Sequence, residues 1–333
     1  MSYKVVQTGT GQRVVPTGVD SVPVVEDFIP VIDLDAPRDV VVASLREACK
    51  NVGFFYIKNH GVSEELIQRT FDESKRFMDL PIDVKARVRH TGKKKGYVPL
   101  LGEQVDPDSK GDLHENFDFG TQGHGSFEEE DENLNQWLDE DTLPGFKSNV
   151  VDYWRELGDL AKRITPFLAL ALDLEPEYFQ TRLKHPNAVL RLIHYPPQEN
   201  RIDESCIGIG AHHDYEIITI LHQGDIPALQ ILDADNRWIG APIIPGTFIC
   251  NLGDQLARWT NETFKSTLHR VINRSGKERY SLPFFYAADY DVPLDVIPSC
   301  VSDANPQKYP TILAGEYMRM RIEETFHSEV KAA

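Results

Sequence analysis

Ala188-Val189-Leu190-Arg191-Leu192-Ile193-His194-Tyr195 opens a block in which short, strand-like runs follow one another at close intervals. The later runs are 207–214, 217–222, 228–232, 238–239, 247–252, 267–273 and 279–286, with Gly, Pro, Asn and Asp between them. Short runs rich in β-branched and aromatic residues, bounded by turn formers, read as strands. Eight of them between 187 and 290 predict a closed or sandwiched all-β unit, for which the eight-stranded jelly roll is the best candidate.

The flanks read differently. Residues 1–28 show no clear periodicity and are expected to form an extended arm. Residues 29–34 and 54–57 are short apolar runs of β character. Between them, 39–51 carries Val41, Leu45, Ala48 and Cys49 at helical spacing and ends at Gly53. Ser63 precedes a second helix containing Leu66, Ile67, Phe71 and Phe77, which stops near Pro81. From 91 to 147 the chain is rich in Gly, Asp and Glu, including the run 128–132, and reads as long loops broken by short elements, a suitable place for a lid. Helices are expected over 148–173, near 176–183 and at the C-terminus within 312–327. The fold class is therefore α+β, with one domain over 1–333: a helical and loop part at 29–147, a β core at 187–290, and flanking helices.

The 333-residue chain is 41% hydrophobic and 26% charged, an ordinary globular composition, with a net charge of −17. Such an acidic balance argues against nucleic acid and against an anionic membrane surface as partners. The basic run Lys93-Lys94-Lys95 is too short to reverse that and reads as a solvated loop. There is no long apolar stretch and no basic, apolar start of a signal peptide. Cys49, Cys206, Cys250 and Cys300 are widely spaced and suit a reducing compartment. The expectation is a cytoplasmic protein; its oligomeric state stays open.

Within Gly210-Ala211-His212-His213-Asp214-Tyr215, His212 and Asp214 stand two apart in a strand-like run, so both side chains point to one face and can reach one metal ion. His213 then points away. A third ligand must come from elsewhere, and His269, on a late strand, is the candidate. Two imidazoles and one carboxylate leave three positions open, which suits a non-haem Fe(II) oxygenase. Taken alone, His-x-Asp is a weak signal and is better explained by a structural pairing. Arg279-Tyr280-Ser281 repeats the i, i+2 logic: guanidinium and hydroxyl share a face and can grip one carboxylate. The alternative is an Arg paired with a protein carboxylate.

In their order and spacing these stretches resemble the 2-oxoglutarate/Fe(II)-dependent dioxygenase superfamily, in the branch of isopenicillin N synthase. The resemblance runs from about 29 to 325. It includes Ile29-Pro30-Val31-Ile32-Asp33-Leu34, Gly53-Phe54-Phe55-Tyr56-Ile57, Asn59-His60-Gly61, Tyr195-Pro196-Pro197, Leu229-Gln230-Ile231, Asn251-Leu252-Gly253-Asp254 and Ser266-Thr267-Leu268-His269-Arg270-Val271. The wording around 279–285 and Ala314-Gly315-Glu316-Tyr317 is most similar to the fungal thymine-hydroxylase-like group. The resemblance implies a distorted double-stranded β-helix with Fe(II) on His212, Asp214 and His269. It further implies 2-oxoglutarate chelating that iron, its distal carboxylate on Arg279 and Ser281, and a hydrogen bond from Tyr195. His60 and His194 are expected to be structural. The chain departs from the family at His213, where a small hydroxyl residue is usual, at Pro227-Ala228, where Gly-Gly is common, and at Ile193, where plant relatives often have Asn.

The implied reaction couples decarboxylation of 2-oxoglutarate to succinate and CO2 with O2-dependent hydroxylation, desaturation or rearrangement of a small organic substrate, in specialised metabolism. Ascorbate is expected to help in vitro. Substrate contacts are expected from Arg191, Tyr215, Phe285, Tyr97, Phe117 and Phe119, although core packing explains the aromatics equally. An inward Arg191 would prefer an anionic or carbonyl-bearing substrate unless an acidic loop residue pairs with it. The rival readings are a 2-oxoglutarate-independent Fe(II) oxidase of the isopenicillin N synthase type, a catalytically silent binding protein on the same fold, and a zinc hydrolase.

Overall fold

The computed structural model describes residues 2–9, 11–23, 28–106, 109–121, 134–198, 202–203 and 205–325. The acidic run 128–132 lies outside them. The N-terminal part contains β1 (Tyr3–Thr8), β2 (Gly11–Pro16), β3 (Val31–Asp33), α1 (Arg38–Asn51), β4 (Phe54–Lys58), α2 (Glu64–Met78) and α3 (Ile82–Lys85). It continues with β5 (Tyr97–Val98), β6 (Glu115–Gly120) and the long α4 (Phe146–Ala171). The block that follows contains β7 (Asn187–Tyr195), β8 (Ile209–His212), β9 (Ile218–His222), β10 (Leu229–Leu232), β11 (Trp238–Gly240) and β12 (Phe248–Leu252). After the short α5 (Asp254–Trp259) come β13 (His269–Val271), β14 (Arg279–Ala287) and the C-terminal α6 (Ala314–Thr325).

The eight strands of the block divide evenly between two sheets. β7, β9, β12 and β14 form the middle of a larger sheet, ordered β3-β4-β12-β9-β14-β7-β6-β5, while β8, β10, β11 and β13 form a smaller one, ordered β11-β10-β13-β8. Apart from the parallel pair β3–β4, the neighbours run antiparallel. Ile193, Tyr195 and Ile249 of the larger sheet meet Leu229, Ile231 and Val271 of the smaller in one apolar cluster. This is the double-stranded β-helix. Strands drawn from the 29–147 part extend the larger sheet at both edges, so the loop-rich segment contributes β5 and β6 as paired strands.

The main core lies on the other face of the larger sheet, where helices cover it. α1 turns Val41, Leu45, Ala48 and Cys49 inward, and α2 turns Ile67, Thr70, Ser74 and Phe77. Ser63 caps α2 by accepting from the Leu66 N–H at 3.1 Å. The chain leaves α1 through Gly53 at φ 73°, where a Cβ would sit 2.3 Å from the Lys265 carbonyl oxygen, so glycine is required. In α4, Trp154 is buried and donates its Nε1–H to the Ala188 carbonyl at 3.1 Å, tying the helix to β7. No described helix is long and apolar enough to cross a membrane.

Two expectations are corrected. The arm expected over 1–28 is not simply extended: β1 and β2 within it pair as a hairpin. Val6 and Val15 from that hairpin pack on Ala211, Trp238 and Leu268, against the smaller sheet. The hairpin buries few apolar side chains, so its alternation is weak in the sequence. Near 176–183 the chain forms turns and the 3-10 segment Gln180–Arg182 in place of a helix.

Trp238 anchors the hairpin, donating its Nε1–H to the Pro16 carbonyl at 3.0 Å beneath the Arg270 guanidinium. Trp238→Ala is expected to cost about 3–5 kcal/mol in denaturant unfolding. It should also expose the hairpin, seen as faster trypsin cleavage after Arg13; an unchanged cleavage rate would show that the hairpin is held elsewhere.

Candidate active site

β8 and β13 pair so that His212 lies opposite His269, and the two rings stand with centroids 4.2 Å apart. His212 donates its Nδ1–H to the Gly210 carbonyl at 2.9 Å, and His269 donates its own to the Thr267 carbonyl at 3.1 Å. Both Nε2 lone pairs are thereby left for a metal, the tautomer that an anchored Nδ1–H selects. Asp214 Oδ1 sits 3.5 Å from each Nε2. The three ligand atoms lie within 4.8 Å of one another, and no other such group of His, Cys, Asp or Glu occurs among the described residues. Burial opposes the charge on Asp214, but His269 and His212 outweigh it and hold the carboxyl well below the usual range.

Asp214 is held differently from the strand expectation. β8 ends at His212, so no pleat fixes the carboxylate. Two side chains do so instead: Asn251 donates to Oδ2 at 2.6 Å, and the Thr219 hydroxyl donates to the same oxygen. His213 turns away as expected and meets Asp254 at 2.9 Å through Nδ1, while the Tyr317 hydroxyl of α6 donates to the other Asp254 oxygen at 3.0 Å. The unusual residue between the two ligands thus ties β8 to α5 and α6.

At the far end, β14 pairs with β7 in a register that sets Arg279 opposite Tyr195 and Ser281 opposite Ile193. Arg279 and Ser281 are each 1% exposed. The guanidinium donates through Nε to the Ile226 carbonyl at 3.0 Å and lies 4.7 Å from the Tyr195 ring centre, yet its buried Nη1 has no partner. Burial draws its pKa down, as expected for a cation with no anion beside it. Arg279, Ser281 and the three candidate ligands all line one cavity of about 210 Å³.

Three N/O ligands at metal distance and an orphaned buried guanidinium in one cavity fit ferrous iron with a dicarboxylate co-substrate. The comparisons agree. The family described as 2OG-Fe(II) oxygenase superfamily matches residues 186–288, and that described as non-haem dioxygenase in morphine synthesis N-terminal matches 29–140. A 2-oxoglutarate-Fe(II) type oxidoreductase of Aspergillus fumigatus is 36% identical, covering 86% of this chain and 87% of its own length. The chain belongs to the 2OG-Fe(II) oxygenase superfamily. A homoarginine-6-hydroxylase of Glycine max is 34% identical over 93% of this oxygenase and 98% of its own length. Among solved structures, a full-length Neurospora crassa protein in complex with alpha-KG and thymine superposes with a TM-score of 0.80 at 28% identity, covering 90% of this chain and 98% of that one. The protein is a 2-oxoglutarate- and Fe(II)-dependent dioxygenase, which sets aside the co-substrate-independent, silent and hydrolytic readings.

The remaining expected contacts divide. Tyr215 and Phe285 line the oxygenase cavity, with the Arg321 guanidinium of α6 4.7 Å from the Tyr215 ring centre. Arg191 also lines it, but its charge is already met. It makes paired hydrogen bonds to Glu103 (2.8 and 2.9 Å) and to Asp118 (2.8 and 2.7 Å), so the acidic-loop alternative holds. Tyr97, Phe117 and Phe119 are corrected to core residues. Phe117 and Phe119 pack against Trp137, with Phe77 and Phe146 beside Phe117, and the Tyr97 hydroxyl donates to Glu115 at 2.5 Å. The reason is parity: on β6, Asp118 faces the cavity and its odd-numbered neighbours face the helices. His194 is structural, meeting Glu115 at 2.9 Å and stacking on Tyr280. His60 is likewise a turn residue, its Nδ1 accepting from the Val62 N–H at 3.2 Å. The exposed Lys93 and Lys94 stand at the cavity rim.

Sequence reasoning missed Asn187 and Glu216. Both line the cavity and both are buried. Asn187 shares strand parity with Arg191 and Tyr195, a signal that was available. Burial, with the Asp214 charge second, pushes Glu216 up to about 8, the mark of a carboxyl with no cation against it.

Asn251 fixes which Asp214 oxygen faces the histidines. Asn251→Ala is expected to weaken Fe(II) or Mn(II) binding by about 10–100-fold with the fold intact, as measured by metal titration. An unchanged affinity would mean that Thr219 alone orients the carboxylate.

Proposed function

We propose that His212, Asp214 and His269 hold the iron, and that Arg279, Ser281 and Tyr195 hold 2-oxoglutarate by its distal carboxylate. The observation that carries this assignment is the buried, unpartnered Arg279 Nη1 in the same cavity as the three metal-facing atoms. A buried guanidinium without an anion is costly, and a carboxylate in its fork would remove that cost. Bound ferrous iron supplies the O2 activation that couples loss of CO2 from 2-oxoglutarate to oxidation of a substrate C–H bond.

The chain's own groups prepare for that chemistry. Anchored Nδ1–H groups keep both imidazoles in the metal-binding tautomer. Asn251 and Thr219 hold one Asp214 oxygen and leave the other facing the histidines. The Tyr195 ring, its centre 4.7 Å from the Arg279 guanidinium, supports that cation through its π face. Phe285 and Tyr215 supply apolar walls for a small organic molecule.

Several broader readings accompany the assignment. The β3–β4 and β5–β6 strands continue the sheet of β7, β9, β12 and β14, which supports one working domain. A net charge of −17 supports a small-molecule partner and neither nucleic acid nor an anionic membrane. Four free cysteines support action in the cytoplasm. A role in specialised metabolism fits relatives whose names and bound ligands are as different as homoarginine and thymine.

The test is a paired titration. His212→Ala should lose stoichiometric iron and all succinate formation in assays with Fe(II) and ascorbate. Arg279→Gln should keep its iron but raise the Kd for 2-oxoglutarate by about 100-fold, the scale of a buried charge pair losing one partner. Wild-type affinity for 2-oxoglutarate in Arg279→Gln would refute the assignment.

A further inference from the structure

Arg279 is a donor left unpartnered in this cavity, and two acceptor side chains line the same space. Glu216 is 8% exposed and lines the cavity. Its carboxylate accepts from the Tyr215 N–H at 2.9 Å, and no ion pair reaches it among the described residues. Arg191, a cation lining the same space, is committed to Glu103 and Asp118. Asn187 is 4% exposed, and its Oδ1 is buried without a donor. The two acceptors belong to one end of the cavity. At the end of β14, Ala287 pairs with Asn187 on one side and Tyr286 pairs on the other with Ile218, two residues past Glu216, and Asn187 Nδ2–H donates to the Tyr290 hydroxyl at 3.3 Å.

We propose that Glu216 and Asn187 are specificity-determining residues, and that the substrate binds them through a nitrogen group rich in N–H donors. The inference rests on the cavity being the substrate chamber beside the iron, as proposed above. A buried acceptor left without a donor costs free energy in the empty protein, and a ligand that brings the donors recovers it. Two acceptors at one end select a group that can donate twice: an amine, a guanidine or an imide. A carboxylate or plain carbonyl in that position would leave the Asn187 Oδ1 lone pair without a donor. Phe285 and Tyr215 line the same cavity and provide apolar surface for the rest of the molecule. This end is chemically distinct from the Arg279 end, so one cavity can take an anion at one side and an N–H-bearing group at the other without exchange of the two.

The experiment is anaerobic calorimetric titration of the Fe(II)- and 2-oxoglutarate-loaded enzyme with four probes. Agmatine and thymine carry N–H donors; 1,3-dimethylthymine and hexanoate carry none. At least one of the first pair should bind, and the second pair should bind at least about tenfold more weakly, the factor expected when buried acceptors go unpaired. Glu216→Met and Asn187→Leu should each weaken the bound probe by about tenfold or more. Glu216→Gln keeps an acceptor but no charge, so it should weaken agmatine as far as Met does and spare thymine, which separates a cationic from a neutral donor. Equal binding of the donor-free probes, or undiminished binding to Glu216→Met, overturns the proposal. A ligand-free readout covers the case in which no probe binds. If Glu216 serves a ligand, Glu216→Met unfolds at or above the wild-type Tm; a clear fall in Tm assigns Glu216 to the scaffold and overturns the proposal. A preceding titration of the Fe(II)-loaded enzyme with 2-oxoglutarate gives the affinity for the co-substrate. Wild-type protein that fails to bind 2-oxoglutarate refutes the Arg279 assignment, whereas binding of 2-oxoglutarate with no preference for N–H donors refutes this inference alone.

Discussion

The pairing of His212 with His269 across β8 and β13 is the contact on which the site depends. It brings two residues from distant parts of the chain into the same ladder position, so that neither ring needs a long or flexible reach. Backbone carbonyls of Gly210 and Thr267, from the same two strand segments, then choose the tautomer of each ring. Asp214 joins them from just past the strand end, held by Asn251 of β12 and Thr219 of β9. The two imidazoles therefore come from the smaller sheet, and the larger sheet orients the carboxylate between them. Any loss of register between β8 and β13 would move a ligand to the opposite face.

The cavity between the sheets is organised by charge that the protein leaves unanswered. Most buried ions here are paired: Arg191 with two carboxylates, His213 with Asp254, Lys85 with Glu115. Arg279 and Glu216 are the exceptions lining the cavity, and burial works against the charge on both. Buried groups of this kind destabilise the empty fold, and a ligand that satisfies them is bound with the energy so released. Arg191 and Arg279 line the same cavity and differ in role only through their neighbours.

Much of this was legible from residue order. The eight runs of 187–290 became eight strands, because period-2 alternation and turn residues act locally. The parity of Arg279, Ser281 and Phe285 on β14, and of Arg191 and Tyr195 on β7, follows from the pleat alone. Less legible were features whose partners lie far away in the chain. The β1–β2 hairpin has almost no apolar face of its own and is fixed by Trp238 and Leu268. Phe117 and Phe119 look like lid aromatics until β6 is paired with β7, which turns them toward the helices.

Residue order by itself determined the strand set of the core, the faces on which His212, His269 and Arg279 stand, and a net charge of −17. Tertiary structure decided which of the inward charges are already paired. Glu103 and Asp118 quench Arg191, while nothing comparable reaches Arg279 Nη1 or the Glu216 carboxyl. The reason is physical: a strand's pleat sets direction through local geometry, but electrostatic compensation depends on which distant segment arrives within hydrogen-bond distance, and only the folded chain specifies that.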